Sequence, residues 1–323
     1  MIGVLGGGAW GTALAAVLAG KSLPVTLWAR EPDVVASING ERENTRFLPG
    51  VCLPEGITAT TEPGHLAVCE TWLVVTPAQH LRSVLAAMPQ GPRILLLCNK
   101  GIEAGTHLLM AEVAAEVAPD ARLAVLSGPT FAGEVAAGLP TAITLACADA
   151  AVGARLVELL ATRSFRPYLS DDVTGAEIGG AVKNVLAIAC GVVVGRGLGE
   201  NARAAVLSRG YAEMLRFALA RGARPETLSG LSGLGDLVLT CGSPQSRNMS
   251  LGIAIGQGRA AADMMRDRQT VAEGAATAPV LVEAAAAAGI EMPIAAAVAG
   301  LLAGVTVEAT IGALLSRPLR SEG

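Results

Sequence analysis

The sequence predicts an α/β protein in which a doubly wound parallel sheet is followed by an all-α domain. Three observations carry this. Through the first half, short β-branched runs alternate with alanine-rich helical patterns, the alternation of βαβ units. Near residue 170 the strands stop and long helical segments take over. At 323 residues the chain is about twice a typical single-domain length, so two cores are expected, spanning 1–170 and 171–323.

The strand candidates, in order, are "IGVL", "VTLWA", "ITAT", "WLVVTP", "RILLLC" and "LAVLSGP". Between them lie the helical patterns "TALAAVLAG", "DVVASI", "AQHLRSVLAAM" and "THLLMAEVAAEVA". Strands this uniformly apolar imply a parallel sheet covered by helices on both faces. A further run, "TAITLACA", extends that sheet. After "FRPYLSDD", helices are expected at about 173–194, 200–221, 275–288 and 293–303, the first capped by Asp171 or Asp172. The interval from Leu228 to Thr270 is rich in Gly, Ser and Arg, is less periodic, and reads as built around a ligand.

Composition narrows the function classes. Hydrophobic residues at 52% against 16% charged ones indicate closely packed helices and exclude a disordered chain. The net charge of -4, with Lys and Arg scattered singly, leaves no electrostatic footprint for nucleic acid. Six widely spaced cysteines with no CxxC match neither a zinc site nor a disulfide framework, and suit reduced thiols in a cytoplasm. His65, His80 and His107 lie in no catalytic motif, and no cluster has metal-ligand spacing, so metal-independent chemistry is expected. A strand starting at residue 2 leaves no room for a signal peptide. The apolar run from Met292 contains Pro293, is rich in Ala and Gly, and falls short of the roughly 20 residues of a bilayer span, so it reads as a buried helix without membrane insertion.

"GGGAWG" supplies Gly6, Gly8 and Gly11 as G-x-G-x-x-G, directly after a strand and before a helix, the context of a dinucleotide-binding turn. In that geometry Gly6 permits the tight turn, Gly8 lets the backbone approach a pyrophosphate, and Gly11 allows the helix to pack closely on the strand. The second strand ends at Arg30, where an NAD site would place a carboxylate for the ribose 2′-hydroxyl. Arginine pairs instead with a 2′-phosphate, which favours NADP or dual use, tempered by the adjacent Glu31.

Within "GGAVKNVLAIACGVVVG" stands one cation, Lys183. At 3.6 residues per turn it shares a face with Ala176, Gly180, Ala187 and Cys190, so it is expected to stand over small side chains with space for a ligand. A lysine in so apolar a setting has its pKa drawn toward neutrality, as a general base requires. Its neighbour Asn184 is read as orienting Lys183, a substrate hydroxyl, or a buried backbone group.

The stretches "GGGAWGTALA", "NKGIE", "SGPTFAGEV", "VKNVLAIACG", "GLGENARAAVLSRG", "GLGDLVLTC", "SRN" and "VAEG" follow in order from residue 2 to about 315. In this order and spacing the chain closely resembles the bacterial-type NAD(P)-dependent glycerol-3-phosphate dehydrogenases. The resemblance implies a Rossmann-like sheet, then a helical domain like the C-terminal domain of 6-phosphogluconate dehydrogenase. It implies reversible reduction of dihydroxyacetone phosphate to sn-glycerol 3-phosphate for phospholipid synthesis, by a homodimer. Position by position it makes Lys183 the catalytic base, sets Lys100 against both ligands, and makes Asp236 a substrate contact in the catalytic group. It puts Gly128, Thr130, Ser246, Arg247 and Asn248 at the substrate, the last three as a phosphate site of the kind hydroxyl, guanidinium and amide build. Ala9, Trp10, Ala132, Arg247, Val271 and Glu273 match positions at the cofactor. Ala9, Asn99 and Thr130 depart from the commonest family pattern and leave the charged groups intact. As a strand-to-helix turn, "SGPTFA" also reads with Thr130 as a helix cap.

Two other functions fit parts of the sequence. A dehydrogenase of 3-hydroxy acids could share the two-domain build and the inward lysine, but a carboxylate substrate has no need of Ser246, Arg247 and Asn248 placed for phosphate. A non-catalytic NADP sensor would need neither Lys183 nor a second anion site.

Overall fold

The structure, a computed structural model, describes residues 1–91, 93–266 and 272–318, except the side chains of 265 and 266. The first part runs β1 (Ile2–Leu5), α1 (Ala9–Ala19), β2 (Val25–Trp28), α2 (Pro32–Glu41), β3 (Ile57–Thr60), β4 (Thr71–Val74), α3 (Leu81–Ala87), β5 (Ile94–Leu97), α4 (Met110–Val117), β6 (Arg122–Ser127), α5 (Ala132–Ala136), β7 (Thr141–Ala146), α6 (Ala150–Leu160) and β8 (Phe165–Ser170). The rest is helical: α7 (Val173–Gly195), α8 (Glu200–Ala220), α9 (Pro225–Ser229), α10 (Asp236–Gly242), α11 (Arg247–Gly256), α12 (Ala261–Arg266), α13 (Glu273–Ala287), α14 (Pro293–Leu302) and α15 (Val307–Leu315).

The eight strands form one sheet in the order β3-β2-β1-β4-β5-β6-β7-β8. Alternate residues supply two cores: Val4, Leu27, Leu73 and Leu96 pack with α1, whereas Leu5, Val74, Leu97 and Val125 pack with α3, α4 and Ala176 of α7. Burial on both faces is why the strands read as unbroken apolar runs.

One pairing departs from the parallel expectation: β7 runs antiparallel to β6. The link between them holds only the five-residue α5, about 7.5 Å of helix, whereas returning along a six-residue strand takes about 20 Å. The chain therefore enters β7 from the edge at which it left β6. The added strand β8 pairs parallel with β7 at the sheet's end.

Helix α7 is the axle of the helical part, with every residue from Gly175 to Ile188 buried. Asp172 caps it, its Oδ1 accepting the Gly175 N–H at 2.8 Å. By length and composition α7 could cross a membrane, but 83% of its apolar window is buried inside the molecule, the signature of a core helix. Glycines bring α11 against it: a Cβ on Gly191 would lie 2.2 Å from the Met249 carbonyl, and one on Gly252 2.1 Å from that of Ile188. The interval after Leu228, read as irregular, is largely short helices, too brief to show a period. Glu177 ties the two parts together: its buried carboxyl Oε1 accepts the Ala111 N–H at the start of α4 at 2.8 Å. Burial pushes that carboxyl up to about 8.

Candidate active site

Directly after β1, Gly6 adopts φ +122°, and a Cβ there would lie 2.8 Å from the Val75 carbonyl. A Cβ on Gly11 would fall 1.9 Å from the Gly6 carbonyl, so α1 can rest on the turn only with glycine at both positions. Gly8 has open space where its Cβ would be, and it caps α1 without any side chain on the first-turn N–H groups. Ala9 and Trp10 form that first turn, which contains no acidic residue. The turn fits a dinucleotide pyrophosphate: bare N–H groups at a helix amino end and no like charge to repel it.

Arg30 lies just beyond β2 with its side chain 80% exposed and its guanidinium on Glu31 Oε1 at 2.9 Å. A 2′-phosphate would have to draw it from that neighbour, while Glu31 offers a carboxylate to a ribose hydroxyl, so both cofactors have a partner here. Arg30→Ala is expected to raise the KM for NADPH about tenfold and that for NADH less than threefold, read from initial rates with each cofactor. Equal rises would remove Arg30 from the phosphate.

At the far side of the sheet's carboxyl edge, three charged groups meet. Lys183 Nζ donates to Asp236 Oδ1 at 2.5 Å and to Thr240 Oγ1 at 2.9 Å. Lys100 Nζ, following β5, donates to Asp236 Oδ2 at 2.7 Å and to the Gly128 carbonyl at 3.3 Å. One fully buried carboxylate thus bridges two ammonium groups, and the trio carries a net positive charge when both lysines are protonated. Burial pushes the Lys183 ammonium down to about 8; Asp236 opposes this, and the like charge of Lys100 adds to it. Glu273, opening α13, joins the same field: burial raises its carboxyl while Arg247, Lys100 and Lys183 pull it down.

The space expected over Lys183 is filled differently. A Cβ on Gly180 would lie 2.7 Å from Ser127 Oγ and 3.3 Å from Lys100 Cδ, so the small residue admits Lys100, and Lys183 is 6% exposed. Asn184 takes the backbone role among those open to it: its Nδ2 donates to the Gly180 carbonyl, while its Oδ1 accepts Asn248 Nδ2 at 2.9 Å. Asn248 Oδ1 in turn accepts the Gly274 N–H at 3.0 Å, joining α7, α11 and α13. Ser246 caps α11 through the Met249 N–H at 3.3 Å, and Arg247 is exposed at the same helix start. The amide thus holds the amino ends of α11 and α13 together, and the first turn of α11, which carries Arg247 and no acidic residue, favours an anion.

Gly128 has φ +153°. Thr130 does not cap the next helix; its hydroxyl donates to the Gly128 carbonyl at 3.3 Å, and Phe131 stands at the cap position of α5. Ala132 opens α5, which packs on α1 beside the glycine turn. Val271 lies outside the described residues.

The sequence reading missed Thr240, although Asp236 and Thr240 stand one helical turn apart on α10 and the i, i+4 spacing was there to be read. It also missed a buried polar row at the ends of β4, β5 and β6, comprising Thr76, Asn99 and Ser127. Asn99 Oδ1 and Ser127 Oγ have no hydrogen-bond partner among the described residues.

Comparison with known proteins agrees with this geometry. Residues 1–153 match the family model for the NAD-dependent glycerol-3-phosphate dehydrogenase N-terminus, and residues 172–311 the one for its C-terminus. The chain is 62% identical over 321 residues to a glycerol-3-phosphate dehydrogenase [NAD(P)+] of Erythrobacter litoralis, covering 99% of this chain and 97% of the relative. It is 61% identical to one of Novosphingobium aromaticivorans, covering 99% and 98%. The crystal structure of glycerol-3-phosphate dehydrogenase from Coxiella burnetii superposes with a TM-score of 0.93 at 38% identity, covering 98% of each chain. The Rossmann-like sheet, the helical part behind it and these matches place the chain in the NAD-dependent glycerol-3-phosphate dehydrogenase family.

Proposed function

We propose that this protein reversibly reduces dihydroxyacetone phosphate to sn-glycerol 3-phosphate with NADPH or NADH, supplying glycerophospholipid synthesis. The observation that carries it is Lys183, buried, drawn down to about 8 and hydrogen-bonded to a carboxylate shared with Lys100. A lysine poised near neutrality can give its proton to the C2 carbonyl oxygen during reduction and take the C2 hydroxyl proton during oxidation. Lys100 polarises the same oxygen. Asp236 holds both ammonium groups in place, and Thr240, one turn along α10, accepts a second hydrogen bond from the Lys183 head. Ser246, Arg247 and Asn248, with the amino end of α11, take the substrate phosphate, Gly128 and Thr130 its other end.

The cofactor, held by Gly6, Gly8, Ala9, Trp10, Gly11, Arg30, Lys100, Ala132, Arg247, Val271 and Glu273, supplies the hydride for C2 when bound. Residues 1–170 supply most of the dinucleotide contacts and 171–323 the catalytic lysine and the phosphate site, while Lys100, Gly128 and Thr130 reach the substrate from the first part and Arg247, Val271 and Glu273 the cofactor from the second, so that closure of the two excludes water from the reacting atoms. The free thiols, five of six of them buried, support a cytoplasmic setting. Exposed Val194, Leu198 and Val305 are apolar side chains that a second copy would cover in a homodimer. The test is NADPH oxidation by the purified protein: turnover that depends on dihydroxyacetone phosphate is expected, and its absence in a protein that binds NADPH overturns the reading.

A further inference from the structure

We propose that Asn44, in the loop after α2, is a positioning residue that sets the glycine turn for cofactor binding by holding the Gly7 carbonyl. The proposal rests on the reading of that turn as the dinucleotide site. Asn44 is fully buried. Its Nδ2 donates to the Gly7 carbonyl at 2.8 Å and to Thr12 Oγ1 at 2.7 Å, while its Oδ1 accepts the Phe47 N–H at 3.1 Å. The Phe47 N–H requires an acceptor and the Gly7 carbonyl a donor, so only one orientation of the amide satisfies both. The loop is tied down as well, Leu48 N–H donating to the Asn44 carbonyl at 2.9 Å.

The consequence lies in the peptide plane. The Gly7–Gly8 bond is trans, so the Gly7 C=O and the Gly8 N–H point in opposite directions. Drawing the carbonyl onto Asn44 turns the Gly8 N–H away from that side chain. That N–H has no hydrogen-bond acceptor among the described residues. Were the plane reversed, the carbonyl oxygen would face an incoming pyrophosphate and repel it.

Three variants separate positioning from simple stability, read by fluorescence titration of the full chain with NADH and NADPH and by steady-state kinetics. Asn44→Ala is expected to raise the Kd for both cofactors about tenfold, with kcat at saturating cofactor and KM for dihydroxyacetone phosphate changed less than about threefold. Thr12→Val keeps the Gly7 contact and loses only the Asn44–Thr12 one, so its cofactor Kd should stay within about threefold of the unmodified protein. Asn44→Asp keeps the size and the Phe47 acceptor but sets a carboxylate against the Gly7 carbonyl, and should weaken cofactor at least as much as alanine even if the alanine variant folds poorly. Unchanged Kd in Asn44→Asp, or equal weakening in Thr12→Val and Asn44→Ala, overturns the proposal. Binding needs no substrate, so a chain that binds NADPH yet leaves dihydroxyacetone phosphate unreduced would retire the activity while these Kd comparisons still decide the role of Asn44.

Discussion

Replacing Lys183 with alanine is expected to lower kcat for dihydroxyacetone phosphate reduction by about 10³-fold, within the range that general acid–base catalysis supplies. The pH dependence makes the test specific. In the folded protein burial draws the Lys183 ammonium down to about 8. The oxidation of glycerol 3-phosphate needs the neutral amine, so its kcat/KM should rise about tenfold per pH unit below about 8 and level off above it. Reduction needs the ammonium and should fall over the same range. In Lys183→Ala both limbs should vanish, and Lys183→Arg should not restore them, because a guanidinium keeps its proton. A limb near pH 8 surviving in either variant would assign the proton to another group.

The second large effect is expected from Asp236→Asn. The side chain keeps its shape, but the buried Lys183 ammonium and the partly buried Lys100 ammonium lose their shared counter-charge. Removing one partner of a buried ion pair costs about 3–5 kcal/mol. The loss should grow as pH falls below about 8 and be smaller above it, where Lys183 becomes neutral. Because Asp236 raises the Lys183 pKa against burial, its removal should shift the oxidation limb to lower pH. Thermal unfolding across pH together with the oxidation profile reads both effects. An upward shift of the limb would mean that Asp236 does not act on Lys183 through its charge.

Stability responds to Lys183 with a definite sign. Its folded pKa of about 8 lies below the ordinary 10.5, so between those values the unfolded chain holds a proton that the folded one lacks. Over that window the contribution rises with pH. Glu177 acts oppositely: its carboxyl is pushed from 4.5 to about 8, so the folded form keeps a proton that the unfolded one releases, and stability falls as pH rises through that interval.

Much of this was legible in the residues. Apart from the edge strand β3, which carries two threonines, β1 to β7 could be placed because each is buried on one or both faces, and burial leaves an apolar run. The bounds of α7, α8, α13 and α14 were legible, and the cap of α7 was narrowed to Asp171 or Asp172, because helix ends demand particular side chains and helix faces repeat every 3.6 residues; the fold chose Asp172. β8 was not, since it is largely exposed, carries Pro167 and shows no clean alternation. α6 went unremarked although its signal was present: Asp149 accepts the Ala151 and Val152 N–H groups, and Val152, Leu156 and Leu160 fall on one face.

The site divides in the same way. By itself the sequence determined the glycine turn, the position of an inward lysine and the order of the family's motifs, because these depend on residues within a few positions of one another. Only the tertiary structure decided what Lys183 meets. Its partner Asp236 is 53 residues away, and Lys100 reaches that same carboxylate from another 136 away. The direction of β7 and the hold of Asn44 on Gly7 were likewise settled by the fold. A side chain's period along the chain gives the face it occupies; the group facing it, and hence its pKa and its chemistry, is fixed only when another element packs there.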